Sequence, residues 1–264
     1  MLTDTALDAC VALMDEVVVR AMERIVTERP RADQVATKKN AADWVTETDL
    51  TVERLVRDEI GARFPDHRIE GEEYGVSGGA DAPATWLIDP VDGTTNYVHA
   101  LPVSSFSLCV ADEGGAAAGL VADPYRRDVL SAVRGRGALR NGRPTRRSDA
   151  RSLMGGIVLT EFSAQSIWHG MFDAMQALAD AGCVTRIMGS NAFSISAVAA
   201  GRCVGTAIGG FNRGDCLAGA LIAAEAGAVL PWGVPADGEP FLAVAPGVVD
   251  ELLSIWPAGR PEPA

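Results

Sequence analysis

Residues 86–96 read Trp-Leu-Ile-Asp-Pro-Val-Asp-Gly-Thr-Thr-Asn, an apolar, strand-like run that ends in two carboxylates, Asp89 and Asp92, three positions apart. Pro90 has no backbone N–H to donate and Gly93 accepts dihedrals closed to other residues, so a sharp turn is expected here that converges the two acids on one point. The Val91 carbonyl lies between them and is exposed by the same turn. Thr94 and Thr95 read as the first residues of a helix, whose free N–H groups favour an anion. A cation on the acid side and a phosphate on the amide side make a geometry suited to cleaving phosphate esters.

Further acids occur outward from this block. Gly71-Glu72-Glu73 follows the short segment His67-Arg68-Ile69, and a loop there can carry one glutamate to the same point. Asp215 opens an apolar helix after the irregular stretch 209–214, where a helix N-terminus favours the charged carboxylate. Each piece has an ordinary alternative: an N-cap, a solvated loop pair, an Asp-x-x-Asp-Gly turn. Together they form the hard, oxygen-only donor set that magnesium takes, which contains neither Cys nor His.

The 264 residues are 48% hydrophobic and 22% charged, with 23 basic against 35 acidic side chains and a formal net charge of -12. That balance argues against a nucleic-acid partner, whose affinity comes from neutralising phosphates, and suits cations. The five cysteines, at 10, 109, 183, 203 and 216, have no C-x-x-C spacing and read as reduced core residues. His67, His99 and His169 lack metal-ligand spacing and are expected at the surface or behind the ligands. With no basic leader and no apolar run near the roughly 18 residues of a membrane span, the expectation is a cytoplasmic chain without a membrane partner.

Apolar residues at 7, 11, 14, 18, 22 and 25 predict a long first helix ending near Arg29-Pro30, and a second helix is expected from Thr48-Asp49 to before Pro65. Runs at 104–111, 116–122 and 129–133 predict antiparallel strands, followed by a basic loop over 135–147 with a tight Asn141-Gly142 turn. Beyond lie strand-like 156–160, 183–188 and 203–208, and helices near 167–179, 191–200, 215–226 and 248–256. The class is α+β. One domain is expected, with an antiparallel-sheet half over 1–150 and a mixed half over 151–264.

Four ordered blocks then resemble the inositol monophosphatase family of magnesium-dependent, lithium-sensitive phosphatases. They are Trp44-Val45-Thr46-Glu47-Thr48-Asp49 leading to Glu53, Gly71-Glu72-Glu73, Trp86 through Tyr97, and Asp215 through Glu225-Ala226-Gly227. The resemblance implies a layered αβαβα sandwich, usually a homodimer, acting on a small phosphorylated substrate. It implies two or three Mg2+ ions held by Glu72, Asp89, the Val91 carbonyl, Asp92 and Asp215. Glu72 and Thr94 resemble the groups that position or deprotonate the attacking water, and Asp49 the acid that supports Thr94 and an additional metal. Gly93 and Thr94 resemble phosphate-holding amides. Gly189-Ser190-Asn191, which can also be an ordinary helix cap, resembles a substrate-contacting segment, as do Asp92 and Asp215. Lys38 matches a family lysine near the site, although with Lys39 it also reads as a surface pair.

Two positions depart from the family pattern. Gly214 stands where members commonly have Trp, and Ile208 stands where inositol-preferring members have a carboxylate for a ring hydroxyl. The implied activity is hydrolysis of inositol monophosphate or a related polyol or sugar phosphate. The alternatives are a superfamily phosphatase for histidinol phosphate, fructose 1,6-bisphosphate or adenosine 3',5'-bisphosphate, and a non-catalytic metal- or phosphate-binding regulator.

Overall fold

The computed structural model describes residues 1–28, 30, 35–37, 44–162 and 167–255. Lys38, Arg29 and Trp256 lie outside the described residues. Helix α1 (Asp4–Thr27) is capped by Thr3, whose hydroxyl accepts the Ala6 N–H. It buries Leu7, Cys10, Met14, Val18, Ala21 and Ile25 along one stripe, and it stops short of Pro30, which disfavours helix in the residue before it. Strands β1 (Val35–Thr37) and β2 (Trp44–Thr46) form a short antiparallel ladder. Helix α2 (Glu47–Arg63) begins one residue before Thr48. Thr46 accepts the Asp49 N–H, and the Asp49 carboxylate reciprocally accepts the Thr46 N–H in a capping box.

The main sheet contains β3 (Arg68–Gly71), β4 (Gly75–Ser77), β5 (Thr85–Asp92), β6 (Ser105–Asp112), β7 (Gly115–Asp123), β8 (Asp128–Val133), β9 (Ala138–Arg140) and β10 (Arg143–Pro144), with the five-residue helix α3 (Thr94–Val98) between β5 and β6. Its order is β10-β9-β8-β7-β6-β5-β3-β4, antiparallel except for the β3–β5 pair. The tight turn expected at Asn141-Gly142 joins β9 and β10 as a hairpin within the segment 135–147. Both turn residues are at positive φ, 50° and 73°, as a two-residue turn that matches strand twist requires.

The second sheet has β11 (Ile157–Glu161), β12 (Val184–Ile187), β13 (Gly205–Ile208) and β14 (Phe241–Val244) in the order β12-β11-β13-β14, the first three parallel. Helices α4 (Met171–Asp180), α5 (Asn191–Ala199) and α6 (Arg213–Glu225) make the connections. The predicted last helix is instead a 3-10 turn at Pro246–Val248 followed by α7 (Val249–Leu253). Helix α4 starts at Met171, after the αL residue Gly170, and not at Ile167.

Period-2 alternation places Trp86 and Ile88 against α1 and α2 and Leu87 against α5 and α6. Leu159, Ile208 and Phe241 face α5 and α6 from the second sheet, while Val158, Val204 and Leu242 face α4 and α7 on its far side. The layers therefore run α1/α2, main sheet, α5/α6, second sheet, α4/α7, which is the αβαβα sandwich. The buried layer packs at backbone distance: a Cβ added at Gly119 on β7 would lie 3.0 Å from the Ala218 Cα of α6. No helix among the described residues is long and apolar enough to cross a membrane. All five cysteines are free and buried.

His67 is not a surface group. It is buried, stacks on Phe64, and its Nδ1 accepts the Trp86 indole N–H at 3.0 Å. Burial, opposed by nearby Asp66, pushes the imidazole below its ordinary value. The unfolded chain therefore takes up protons on His67 first, at about pH 6.5, so the Trp86–His67 pair stabilises above that pH and its contribution is lost as the pH falls below it. The stability difference between wild type and His67→Phe, read from urea midpoints, is expected to shrink from about pH 7.5 to about pH 5. Gly119→Val is expected to cost about 1–3 kcal/mol in the same assay, because α6 must move off β7 to admit the side chain.

Candidate active site

Asp89 and Asp92 sit at odd spacing on β5, and a regular strand would send them to opposite faces. The register against β6 slips between the pairs Asp89↔Ser107 and Asp92↔Ser105, so three steps on β5 oppose two on β6. This bulge at Pro90-Val91, where proline lacks a ladder N–H, returns both acids to one side. The strand thus runs through Pro90, and the turn expected there falls at Gly93, which is in the left-handed region at φ 88°. A Cβ at Gly93 would lie 2.6 Å from the Gly189 carbonyl, so only glycine permits this approach.

The third acid comes from α6. Asn212 is the N-cap, accepting the Gly214 N–H at 3.0 Å, so Asp215 is the third helical residue and not the cap. Its carboxylate is held by Asn212 Nδ2 at 2.9 Å and Asn191 Nδ2 at 3.5 Å. Carboxylate oxygens of Asp89, Asp92 and Asp215 lie within 4.8 Å of one another. Glu72 joins them from the loop after β3. Its N–H bonds the Ile88 carbonyl at 3.2 Å, and its carboxylate stands near enough to Asp89 to push that carboxyl up. That loop is pinned by the fully buried Glu53, which accepts the Glu73 and Tyr74 N–H groups at 2.7 and 3.1 Å and pairs with Arg57.

The Val91 carbonyl accepts the Thr94 hydroxyl at 3.0 Å, and Asp49 Oδ1 lies 3.5 Å from the same hydroxyl. Gly189-Ser190-Asn191 are brought to the site but turned toward an acid. Ser190 Oγ and the Ala192 N–H donate to Asp92 Oδ2 at 2.5 and 2.7 Å, joined by Ser105 Oγ at 3.3 Å. These donors fall on Oδ2, and Oδ1 can serve a cation.

Burial, with the charges of Glu72, Asp215 and Asp92, holds the Asp89 carboxyl well above its ordinary value, and burial lifts Asp92 to about 6 against its hydrogen-bond donors. Crowded acids around two buried carboxylates are what a divalent cation relieves. The donor set is oxygen-only, with Asp89 and Asp92 buried, Asp215 half-buried and Glu72 exposed at its mouth, and it fits magnesium.

Two residues outside the predicted set complete the frame. Asn96 Nδ2 donates to the Met188 and Val103 carbonyls at 2.7 and 2.8 Å. Glu161, at the C-terminal end of β11, accepts the Gly189 N–H at 2.7 Å. A carboxylate closing an apolar strand is the signal that marked Asp89, and it was available at Thr160-Glu161. Ile208 is buried among Leu159, Phe211 and Phe241 and offers no acceptor. A Cβ at Gly214 would meet only Asn212 Oδ1, at 3.4 Å, so nothing on this side forbids a larger residue.

Fold and donor set define a class, the layered αβαβα proteins with an oxygen-donor cation centre. Sequence comparison narrows it. The profile of the inositol monophosphatase family matches residues 7–250, and the chain belongs to that family. It is 36% identical over 235 residues to a protein named Nus factor SuhB from Pasteurella multocida, covering 85% of this chain and 86% of the relative. It is 34% identical over 217 residues to the inositol-1-monophosphatase of Synechocystis, covering 81% and 76%. Among solved structures, the suhB protein of Bartonella henselae superposes with a TM-score of 0.86 at 25% identity, covering 95% of this chain and 99% of the other.

Asp89→Asn keeps an acceptor for the Val91 N–H, which lies 3.1 Å from Asp89 Oδ1, and removes one of the crowded charges. In chelator this variant is expected to melt above wild type. In excess Mg2+ it is expected to lose most of the rise that wild type shows, about 2.7 kcal/mol at a hundredfold over the dissociation constant. Calorimetry with and without Mg2+ reads both.

Proposed function

We propose that the chain hydrolyses monoesters of phosphate with inositol or a related small polyol or sugar, using two or three Mg2+ ions. The observation that carries this reading is the convergence of Asp89, Asp92 and Asp215 within 4.8 Å beside the left-handed turn at Gly93 and the hydroxyl of Thr94. Glu72, Asp89, the Val91 carbonyl, Asp92 and Asp215 would hold the ions. Bound magnesium supplies acidification of water and neutralisation of charge on the phosphate and the leaving oxygen.

The chain's own groups do the rest. Thr94 Oγ1, between the Val91 carbonyl and Asp49, orients the attacking water, and Glu72 or Asp49 accepts the proton it sheds. The N–H groups of Gly93 and Thr94 bind phosphate oxygens where negative charge builds. The water oxygen bonds to phosphorus as the ester P–O bond breaks, and the departing alkoxide takes a proton from a second water molecule.

The buried, apolar Ile208 supports a substrate other than inositol monophosphate itself, because no carboxylate stands there to receive a ring hydroxyl. A second reading, a metal-binding regulator without turnover, is favoured by the name Nus factor carried by the 36% identical relative. A homodimer is supported by the edge strand β12, which leaves Val184 and Ile187 each 41% exposed, and by Phe172 on α4 at 66%. A second copy would cover this apolar edge.

Phosphate release from a panel of small esters, inositol 1-phosphate and sugar phosphates among them, is expected to require millimolar-range Mg2+ and to stop in chelator. Asp92→Asn is expected to lower turnover about a hundredfold or more while leaving the circular dichroism spectrum intact. Release by no member of the panel would favour the regulator. Sedimentation equilibrium is expected to return twice the chain mass.

A further inference from the structure

We propose that Glu161 is a positioning residue that sets the metal-binding geometry of Asp92 through the turn at 188–192. It lies outside the ligand set, on the second sheet, and is 7% exposed. Three donors converge on it: the Met188 N–H on Oε1 at 3.1 Å, the Gly189 N–H on Oε2 at 2.7 Å, and the Ser194 hydroxyl on Oε1. An ionised carboxylate, which only accepts, matches three donors.

The peptide unit between Met188 and Gly189 is held at both ends. Glu161 takes its N–H, and Asn96, from the helix that follows the metal-bearing strand, donates to its carbonyl at 2.7 Å. Gly189 adopts φ +75°, and a Cβ there would lie 2.8 Å from Asn96 Nδ2, so the clamp closes on glycine alone. One and three residues further on, Ser190 Oγ and the Ala192 N–H hold Asp92 Oδ2. Moving the 188–189 peptide therefore moves the donors that orient Asp92. Glu161 is a costly group to bury: burial outweighs its donors and raises its carboxyl to about 7. An amide of the same shape would be cheaper to bury, but its NH2 would face the donor of Gly189 or Met188.

The activity arm of the test rests on the phosphatase reading, and the metal arm does not. Glu161→Gln is compared with wild type by Mg2+ titration in calorimetry and by steady-state kinetics on the best ester of the panel. The Mg2+ midpoint is expected to rise about tenfold or more and kcat to fall by a similar factor, with KM for the ester changing less. A midpoint and kcat within about twofold of wild type would overturn the proposal.

Ser194→Ala, which removes one donor and keeps the carboxylate, is expected to shift the midpoint in the same direction by a smaller factor. It decides the matter if Glu161→Gln does not fold, an unchanged midpoint then counting against the proposal. Asp128→Asn, a buried carboxylate that pairs with Arg140 and Arg202 away from the acid cluster, serves as the structural control. It is expected to lower the melting temperature and leave the Mg2+ midpoint unchanged; an equal shift in the control would overturn the specific role of Glu161. If wild type binds Mg2+ but releases no phosphate, the phosphatase reading fails and the metal arm alone decides this one. If wild type binds no Mg2+, both fall.

Discussion

Like charges forced together where β5 ends are the constraint on which the rest of the structure depends: Asp89 and Asp92 are buried, Asp215 is half-buried, and only Glu72 is exposed. Asp89, Asp92 and Asp215 cannot all ionise cheaply at their separation, and Glu72 adds a fourth carboxyl at Asp89. The fold answers by surrounding the cluster with fixed donors. Ser190 and the Ala192 N–H serve Asp92, Asn212 and Asn191 serve Asp215, and the Val91 N–H serves Asp89. What these donors do not offset is left for a cation, so the site is poised for one at a cost in stability of the metal-free protein.

The layering explains how acids distant in sequence meet. The α5/α6 layer lies between two sheets, so the ends of β5, α5 and α6 open onto one seam, and β11 reaches it from the other side. Backbone-close packing at Gly119–Ala218 and at Gly219–Ile195 leaves α6 little room to shift, which fixes Asp215 relative to β5. Two buried glutamates act at one remove. Glu53 pins the loop that carries Glu72, and Glu161 pins the turn that faces Asp92. Both are carboxyl groups that accept where the backbone presents several N–H donors at once, a task that no apolar side chain performs.

Much of this was legible beforehand. Alternation and helical periodicity located the strands of the main sheet and the helices that cover it, and the ordered acidic blocks contained the carboxylates that converge where β5 ends. Short or edge elements were not legible. β14 and β4 are held by neighbours more than by their own composition, and α4 begins after Gly170 because of a left-handed residue that periodicity does not register. Pro90 was read as a turn, whereas the strand continues through it as a bulge. A proline without an N–H is compatible with either, and only pairing with β6 selects between them.

By itself the sequence determined the chemistry on offer: hard oxygen donors at Asp89, Asp92, Glu72 and Asp215, a glycine where the chain must turn, and apolar stripes that dictate which faces are buried. These follow from residue type and local spacing, which need no knowledge of distant neighbours. Tertiary structure decided what those groups face. It turned Ser190 toward Asp92 and Asn191 toward Asp215, buried Ile208 in the α5/α6 layer, took His67 into a pair with Trp86, and set Glu161 behind the site. The reason is physical. A buried carboxylate must find its donors wherever the packed layers bring backbone N–H groups within hydrogen-bonding distance, and that meeting is a property of the assembled layers rather than of any one segment.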